Sequence, residues 1–290
     1  MNRFTVSLAA LATGMGASLS TFAASPAGDD WKNTLVSPVA NPIFFESPQI
    51  TTEVRPIYMY HNLNDDFVTA GGNVEVFALQ LRYALTDRLA IIATKDGYIA
   101  LRPNAVLPHS YGWADLAAGV KYALIDDAKA QFMLTPGVKI EIPTGNERVF
   151  QGHGSGEWDL FVSAVKGWGR AHAMASVGVR IPNDFSENTS QAHYSLQLDY
   201  YTCRWFVPFV SFNGYTVLSE GDGLALGSEG YDLINFGTSN AKGNTQVVLG
   251  AGLRSRVLKN LDLGFAYEFG VTDSTGIFAD RFTADAIIHF

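Results

Sequence analysis

A chain of 290 residues with a formal net charge of -8 and only 17% charged side chains carries no basic stripe to neutralise phosphates, which excludes nucleic acid as a partner. Its single cysteine, Cys203, excludes an internal disulfide and any multi-cysteine metal site. Aromatics reach 12%, and no stretch beyond the extreme N-terminus approaches the ~18 apolar residues of a membrane helix, so any crossing of a bilayer falls to strands.

In chain order, residues 1–23 read as a signal peptide. Arg3 gives the positive start, Val6 to Phe22 the small-residue apolar core, and the alanines from Ala23 a cleavage site within residues 23–27. Residues 24–49 do not alternate. They carry Pro26, Pro38, Pro42 and Pro48 around an apolar patch, Ile43-Phe44-Phe45, which is irregular backbone with something to bury. Two placements are open, a plug tucked into a barrel mouth or a simple leader into the first strand, and the simple leader is preferred.

From residue 50 to 290 the hydrophobic period is 2, restarting about twelve times between turn residues. Over residues 113–124, Leu116, Ala118, Val120, Tyr122 and Leu124 point one way while Asp115, Gly119 and Lys121 point the other. Over residues 261–269, Leu261, Leu263, Phe265, Tyr267 and Phe269 oppose Asp262, Gly264, Ala266 and Glu268. Soluble sandwiches alternate too, so the connections decide. Short links at 86–87, 125–129, 167–170, 202–203 and 258–260 alternate with longer ones at 96–112, 143–157, 182–191, 216–243 and 270–280. Short turns on one side and long loops on the other are the pattern of a transmembrane barrel. The expected fold is all-β: a transmembrane antiparallel up-and-down β-barrel of about 12 strands. The last strand ends on Phe290, behind the apolar face Phe282, Ala284, Ala286 and Ile288, and resembles the signal read by the barrel-assembly machinery of bacterial outer membranes.

The inner face then holds Arg82, Lys121, Lys139, Arg180, Arg254 and Arg281 with Glu141, Asp159, Asp199, Asp262, Glu268 and Asp285. These line the lumen either as a structural network of neutralised charges or as a polar conduit. His193 and Ser195 share one face, as nucleophile and base do in outer-membrane phospholipases. Here Leu196-Gln197 follow the serine where that family continues Asn-Gly, and both side chains fall on the lumen face. Gly152, Gly154 and Gly156 lack the Lys-Ser/Thr of a phosphate cradle and read as loop flexibility, and His153 reads as a solvated loop histidine. Neither catalytic nor metal-ligating nor cofactor-binding residues are expected.

Trp113-Ala114-Asp115-Leu116, Gly119-Val120-Lys121-Tyr122, Pro136-Gly137-Val138-Lys139, Ile142-Pro143-Thr144-Gly145 and Gly154-Ser155-Gly156 before Trp158-Asp159-Leu160 follow one another as strand, corner, Gly-rich loop and returning strand. This central part, with the turn Tyr83-Ala84-Leu85-Thr86-Asp87-Arg88-Leu89, resembles the outer-membrane proteins of the MetA-pathway of phenol degradation family. Those are distant relatives of the fatty-acid-transporter type of hydrophobic-compound channel. The resemblance implies an outer-membrane barrel associated with uptake of small, often aromatic or hydrophobic compounds. The expectation is a passive channel in contact with outer-membrane lipid, with no cofactor. An outer-membrane hydrolase using His193 and Ser195, and a structural or adhesion barrel that presents loops, are the alternatives.

Overall fold

The computed structural model describes residues 29–272 and 277–290. The expected signal peptide over 1–23 lies outside the described residues. Alternation becomes the wall of a closed antiparallel barrel of twelve strands, formed by fifteen segments: β1 (Glu53–Leu63), β2 (Gly72–Ala84), β3 (Leu89–Lys95), β4 (Tyr98–Pro103), β5 (Ser110–Trp113), β6 (Leu116–Tyr122), β7 (Ile125–Asp127), β8 (Phe132–Ile142), β9 (Glu157–Trp168), β10 (Ala171–Pro182), β11 (Gln191–Tyr200), β12 (Val207–Val217), β13 (Thr245–Leu258), β14 (Leu261–Gly270) and β15 (Phe278–His289). β3 with β4 makes the third strand, and β5 to β7 make the fourth. β1 pairs with both β2 and β15, which closes the sheet and leaves no open edge to be buried in hydrocarbon.

One connection differs from the sequence reading. Residues 96–112 are not one long loop. β2 pairs with β3 and then with β4 across Asp96-Gly97, so the strand runs on to Pro103 and the loop shrinks to 104–109. Two features join the halves. Gly97 sits at φ 113° with no room for a Cβ, which would lie 2.4 Å from the Phe77 carbonyl oxygen, and the Asp96 carboxylate accepts the Leu79 N–H at 2.7 Å in place of a ladder bond. Polar residues at such a break read as a loop in sequence.

Both described ends of the barrel chain lie at one end, with the short turns. The longer loops 64–71, 143–156, 183–190 and 218–244 lie at the other. Outward side chains are apolar, among them Leu79, Leu81, Ile91, Val120, Leu160, Val177, Leu198, Val210, Leu263 and Phe265, and all are exposed on the wall. Exposed aromatics Tyr83, Tyr122, Trp168, Tyr200 and Trp205 ring the turn end, and Tyr98, Trp113 and Trp158 stand nearer the loop end, as interface girdles do. A polar lumen alone would leave the barrel without a core. Here a core exists, built where inward apolar side chains of the wall meet the N-terminal segment and the loops inside the barrel.

Candidate functional site: the barrel lumen

Of the two placements open to the N-terminal segment, it takes the inside. It enters at the turn end, where Lys32 Nζ meets Asp126 at 2.6 Å, and rises to a tip at residues 41–44. There Asn41 turns the chain at φ 49°, a conformation asparagine tolerates. The segment then descends to β1, passing Thr135, whose hydroxyl donates to the Pro48 carbonyl at 2.7 Å. Its prolines keep the backbone from pairing as a strand, so its carbonyls are free to accept from the wall. Arg254 reaches the Ser37 carbonyl at 3.0 Å, Arg55 the Pro38 carbonyl at 2.6 Å, Gln80 the Pro42 carbonyl at 2.7 Å, and Lys139 the Ile43 carbonyl at 3.1 Å. The apolar patch explains itself too. Trp31, Leu35 and Phe45 pack on Met133, Val165 and Met174, while Phe44 stacks on His193 at 4.4 Å under the Lys139 and Arg180 cations.

All twelve charged side chains expected on the inner face point into the barrel, and with Glu141 partly covered and the rest buried they fall into groups. Asp285 is held by Arg55 at 2.7 Å and Arg254 at 3.0 Å. Glu268 takes a fork from Arg281 at 2.9 and 3.0 Å. Asp159 bridges Lys139 at 2.7 Å and His193 at 2.8 Å. Arg180 pairs with Glu157, Lys95 with Glu141, and Asp262 with Arg256 at 3.1 Å. Asp199 meets His172 at 2.6 Å. Two acidic residues from outside the wall complete the pairing. Glu46 of the inner segment accepts from Arg82 at 2.8 and 2.6 Å and from Lys121 at 2.7 Å, and Asp232 of the longest loop pairs with Arg281. Burial pushes the Glu46 carboxyl up, but Arg82 and Lys121 outweigh it and hold the group well below the usual carboxylate range. Asp232 is lowered in the same way, burial opposing and Arg281 prevailing. Neither acid is on an alternating strand, and periodicity gave no sign of either.

Loop 218–244 closes the opposite end. Arg180 donates to the Tyr231 carbonyl at 2.7 Å, Gln151 to that of Leu233 at 3.1 Å, and His153 to that of Asn235 at 2.6 Å, so His153 is a loop tether and not a solvated histidine. Glu229 shapes the loop by accepting from Thr189 and Thr238 hydroxyls and the Gly230 amide. Gly152, Gly154 and Gly156 are needed for positive φ of 71°, 77° and 85°, and Asp115 fixes their loop by accepting the Gly145 and Gly152 amides at 2.8 Å each. The loop and the inner segment meet through Tyr215, which lies 6.3 Å from Phe44 and 5.5 Å from Tyr231 between ring centres. The lumen is filled from both ends.

His193 and Ser195 both face the lumen and are buried. His193 is engaged by Asp159 and Phe44, and the Ser195 hydroxyl accepts from Asn41 at 3.0 Å, so the pair is not arranged as base and nucleophile. Among the described residues no group of three or more His, Cys, Asp or Glu is placed to hold a metal ion.

At the loop end lies an apolar cavity of about 240 Å³, lined by Leu63, Phe67, Val68, Leu101, Val106, Leu107, Phe150, Leu224, Leu226, Ile234, Phe236 and Ile277. Phe236 is its floor, stacked on Phe67 at 6.2 Å and edge-on to Phe150 at 5.2 Å. An open cleft beside it shares Leu101, Leu107 and Phe150 and adds His109, Glu147 and Arg148. The sequence reading did not single out these residues, because they come from five separate connections and only the fold brings them together.

No family model matches the chain, and no curated protein matches it in sequence. Solved structures do match in shape. The COG4313 outer membrane channel from Pseudomonas putida F1 superposes with a TM-score of 0.63 at 15% identity, over 88% of this chain and 100% of that one. The NanC porin gives 0.52 at 9% identity, over 82% and 99%, and the β domain of a Bordetella autotransporter gives 0.51 at 12%, over 83% and 100%. At these identities the likeness is one of fold, and the fold is that of outer-membrane barrels.

Proposed function

We propose that the protein is a passive outer-membrane uptake channel for small hydrophobic or aromatic compounds, with its loops outside the cell and its lumen closed by its own N-terminal segment and longest loop. The observation that carries this reading is the apolar cavity at the loop end, directly above the Phe236 and Ile234 of the loop that fills the bore. An exposed apolar site costs solubility and persists where a ligand or partner uses it. Burying roughly 150 Å² of a small apolar compound at ~25 cal/mol/Å² gives about 4 kcal/mol, an affinity near 1 mM, which suits capture followed by release. The resemblance of residues 113–160 and 83–89 to the MetA-pathway of phenol degradation family supports the solute class, and the similarity to an outer membrane channel supports transport over hydrolysis.

The test is entry of a radiolabelled monocyclic aromatic into cells whose outer leaflet is lipopolysaccharide. Uptake should rise with the protein and fall to background in Phe236→Glu, with the barrel still folded by gel shift. Equal uptake with and without the protein would remove the reading and leave a barrel that only presents its loops.

A further inference from the structure

Every inward residue of β11 is polar. Gln191, His193, Ser195, Gln197 and Asp199 stand in one column on the lumen side, and all are buried. At ~3.4 Å per residue along a strand tilted about 40°, this column rises about 21 Å, most of the ~25 Å apolar band of an outer-membrane barrel. A barrel that merely needed filling could have placed aliphatic groups here, as it did on the plug.

The column is one stretch of a longer polar thread. From the loop end, two voids of about 10 Å³ each follow one another, the outer touching His153 and Asp115, the inner touching Lys139, Arg180 and Asp159, and both touching Lys95, Glu141 and Glu157. Each has room for about one water, with several polar partners to hold it. Asp159 Oδ1 then meets His193 Nε2 at 2.8 Å. Lower down, Gln197 Nε2 donates to Asp199 Oδ2 at 3.2 Å, Asp199 Oδ1 meets His172 Nδ1 at 2.6 Å, and His172 Nε2 lies 3.0 Å from the Thr34 hydroxyl, which is part-exposed at the turn end.

Between His193 and Gln197 direct bonds are missing along the column, and there the protein leaves buried polar atoms without a protein partner. His193 Nδ1, Asn41 Oδ1, Asn213 Oδ1, Ser211 Oγ and Gln197 Oε1 all lack one among the described residues. Asn213 and Ser211 are the register partners of Ser195 and Gln197, so these atoms face one seam between β11, β12 and the plug tip. Leaving each unsatisfied would cost about 1 to 3 kcal/mol, a penalty that water held between them would remove.

We propose that this thread is a proton-conducting wire that stays connected while the plug is seated. Waters, hydroxyls, imidazoles and carboxylates each accept a proton on one side and release one on the other; the Gln197 amide relays none, so in this wire water in the seam carries the proton past it to the Asp199 carboxylate, held in line by the Asn and Gln amides. The thread is too narrow for hydrated ions. It is independent of the uptake reading, because it needs neither the apolar cavity nor an open lumen.

The test uses the full-length mature protein in liposomes loaded with a pH-sensitive dye, with valinomycin and equal potassium on both sides to cancel the membrane potential. After a pH step, the wild type should dissipate the gradient faster than protein-free liposomes while chloride and choline leak no faster. Ser195→Val and Gln197→Leu should each slow proton flux by about tenfold, the effect of a modest added barrier. Ser163→Ala, whose hydroxyl donates to Ser176 on a neighbouring part of the wall, should leave it unchanged. Heat-modifiable gel migration confirms that each variant is folded. Wild-type flux equal to protein-free liposomes, flux untouched by both column variants, or a chloride leak rising in parallel would each overturn the wire, the last by showing an open pore.

Discussion

Glu46 is the residue on which the inner segment depends most. Its carboxylate neutralises Arg82 and Lys121 at once, both fully inside the barrel, while Glu53 adds a second contact to Arg82 at 3.3 Å. Glu46→Gln keeps the size and removes the charge, leaving two buried cations short of a counter-ion. Such a loss costs about 3 kcal/mol, so the population of the unplugged state should rise about 100-fold, read as more frequent opening events in single-channel recordings. The same charge sets an acid response. Because the carboxyl is held below its ordinary range of ~4.3, its contribution is fully present above that value and is lost only as pH falls through the depressed one. The lumen should therefore stay closed at pH 5 and open only in stronger acid, and Glu46→Gln should flatten that dependence. An opening between pH 6 and 5 in the wild type would assign the response to another group. Little of this was legible in sequence. Alternation assigned Arg82 and Lys121 to the inner face, but their partner lies 36 and 75 residues away in a segment with no period.

At the scale of elements, the wall follows from period 2 and its contents do not. The faces of residues 261–269 were readable because Leu, Phe and Tyr strictly alternate with Asp, Gly, Ala and Glu, and a one-residue slip would put acids in lipid. The β3 and β4 strand was misread because Asp96-Gly97 looks like a turn and acts as a splice. The inner segment could be recognised as irregular and apolar, yet nothing local distinguishes a segment that lies in a mouth from one that passes it. Its removal makes a defined prediction. The wall at the turn end presents Arg55, Arg82, Lys121, Arg254 and Arg256, and part of their pairing comes from Glu46 and the carbonyls of Asn33, Leu35, Ser37, Pro38 and Ser47. Deleting residues 31–47 leaves that zone with more cations than anions while the twelve-strand ladder stays closed. The truncated protein should conduct steadily and prefer anions, shown by the sign of the reversal potential in a potassium chloride gradient. Cation preference would mean that the acids of the loop end, and not this zone, control the bore.

For the whole molecule the open question is how a chain with its apolar face on the outside reaches a bilayer before it aggregates. The strand β15 closes the barrel against β1, and the last residue stands just beyond it. The Phe290 side chain is 83% exposed, and its backbone N–H donates to Thr52 at 3.0 Å. The side chain therefore adds no core packing, and deleting the residue removes one backbone bond worth about 1 kcal/mol, little against a closed twelve-strand ladder. An exposed ring with no packing role is available for contact outside the fold, and the prediction is that the assembly machinery reads it before the edges of β1 and β15 meet. The two roles separate cleanly by experiment. Refolded from denaturant into detergent, the protein lacking Phe290 should recover the heat-modifiable form as fully as the parent. Expressed in cells, its folded outer-membrane fraction should fall severalfold, a loss of assembly rate and not of stability. A parallel loss in both settings would make Phe290 a structural residue after all, and normal assembly in cells would remove recognition of this ring from the account.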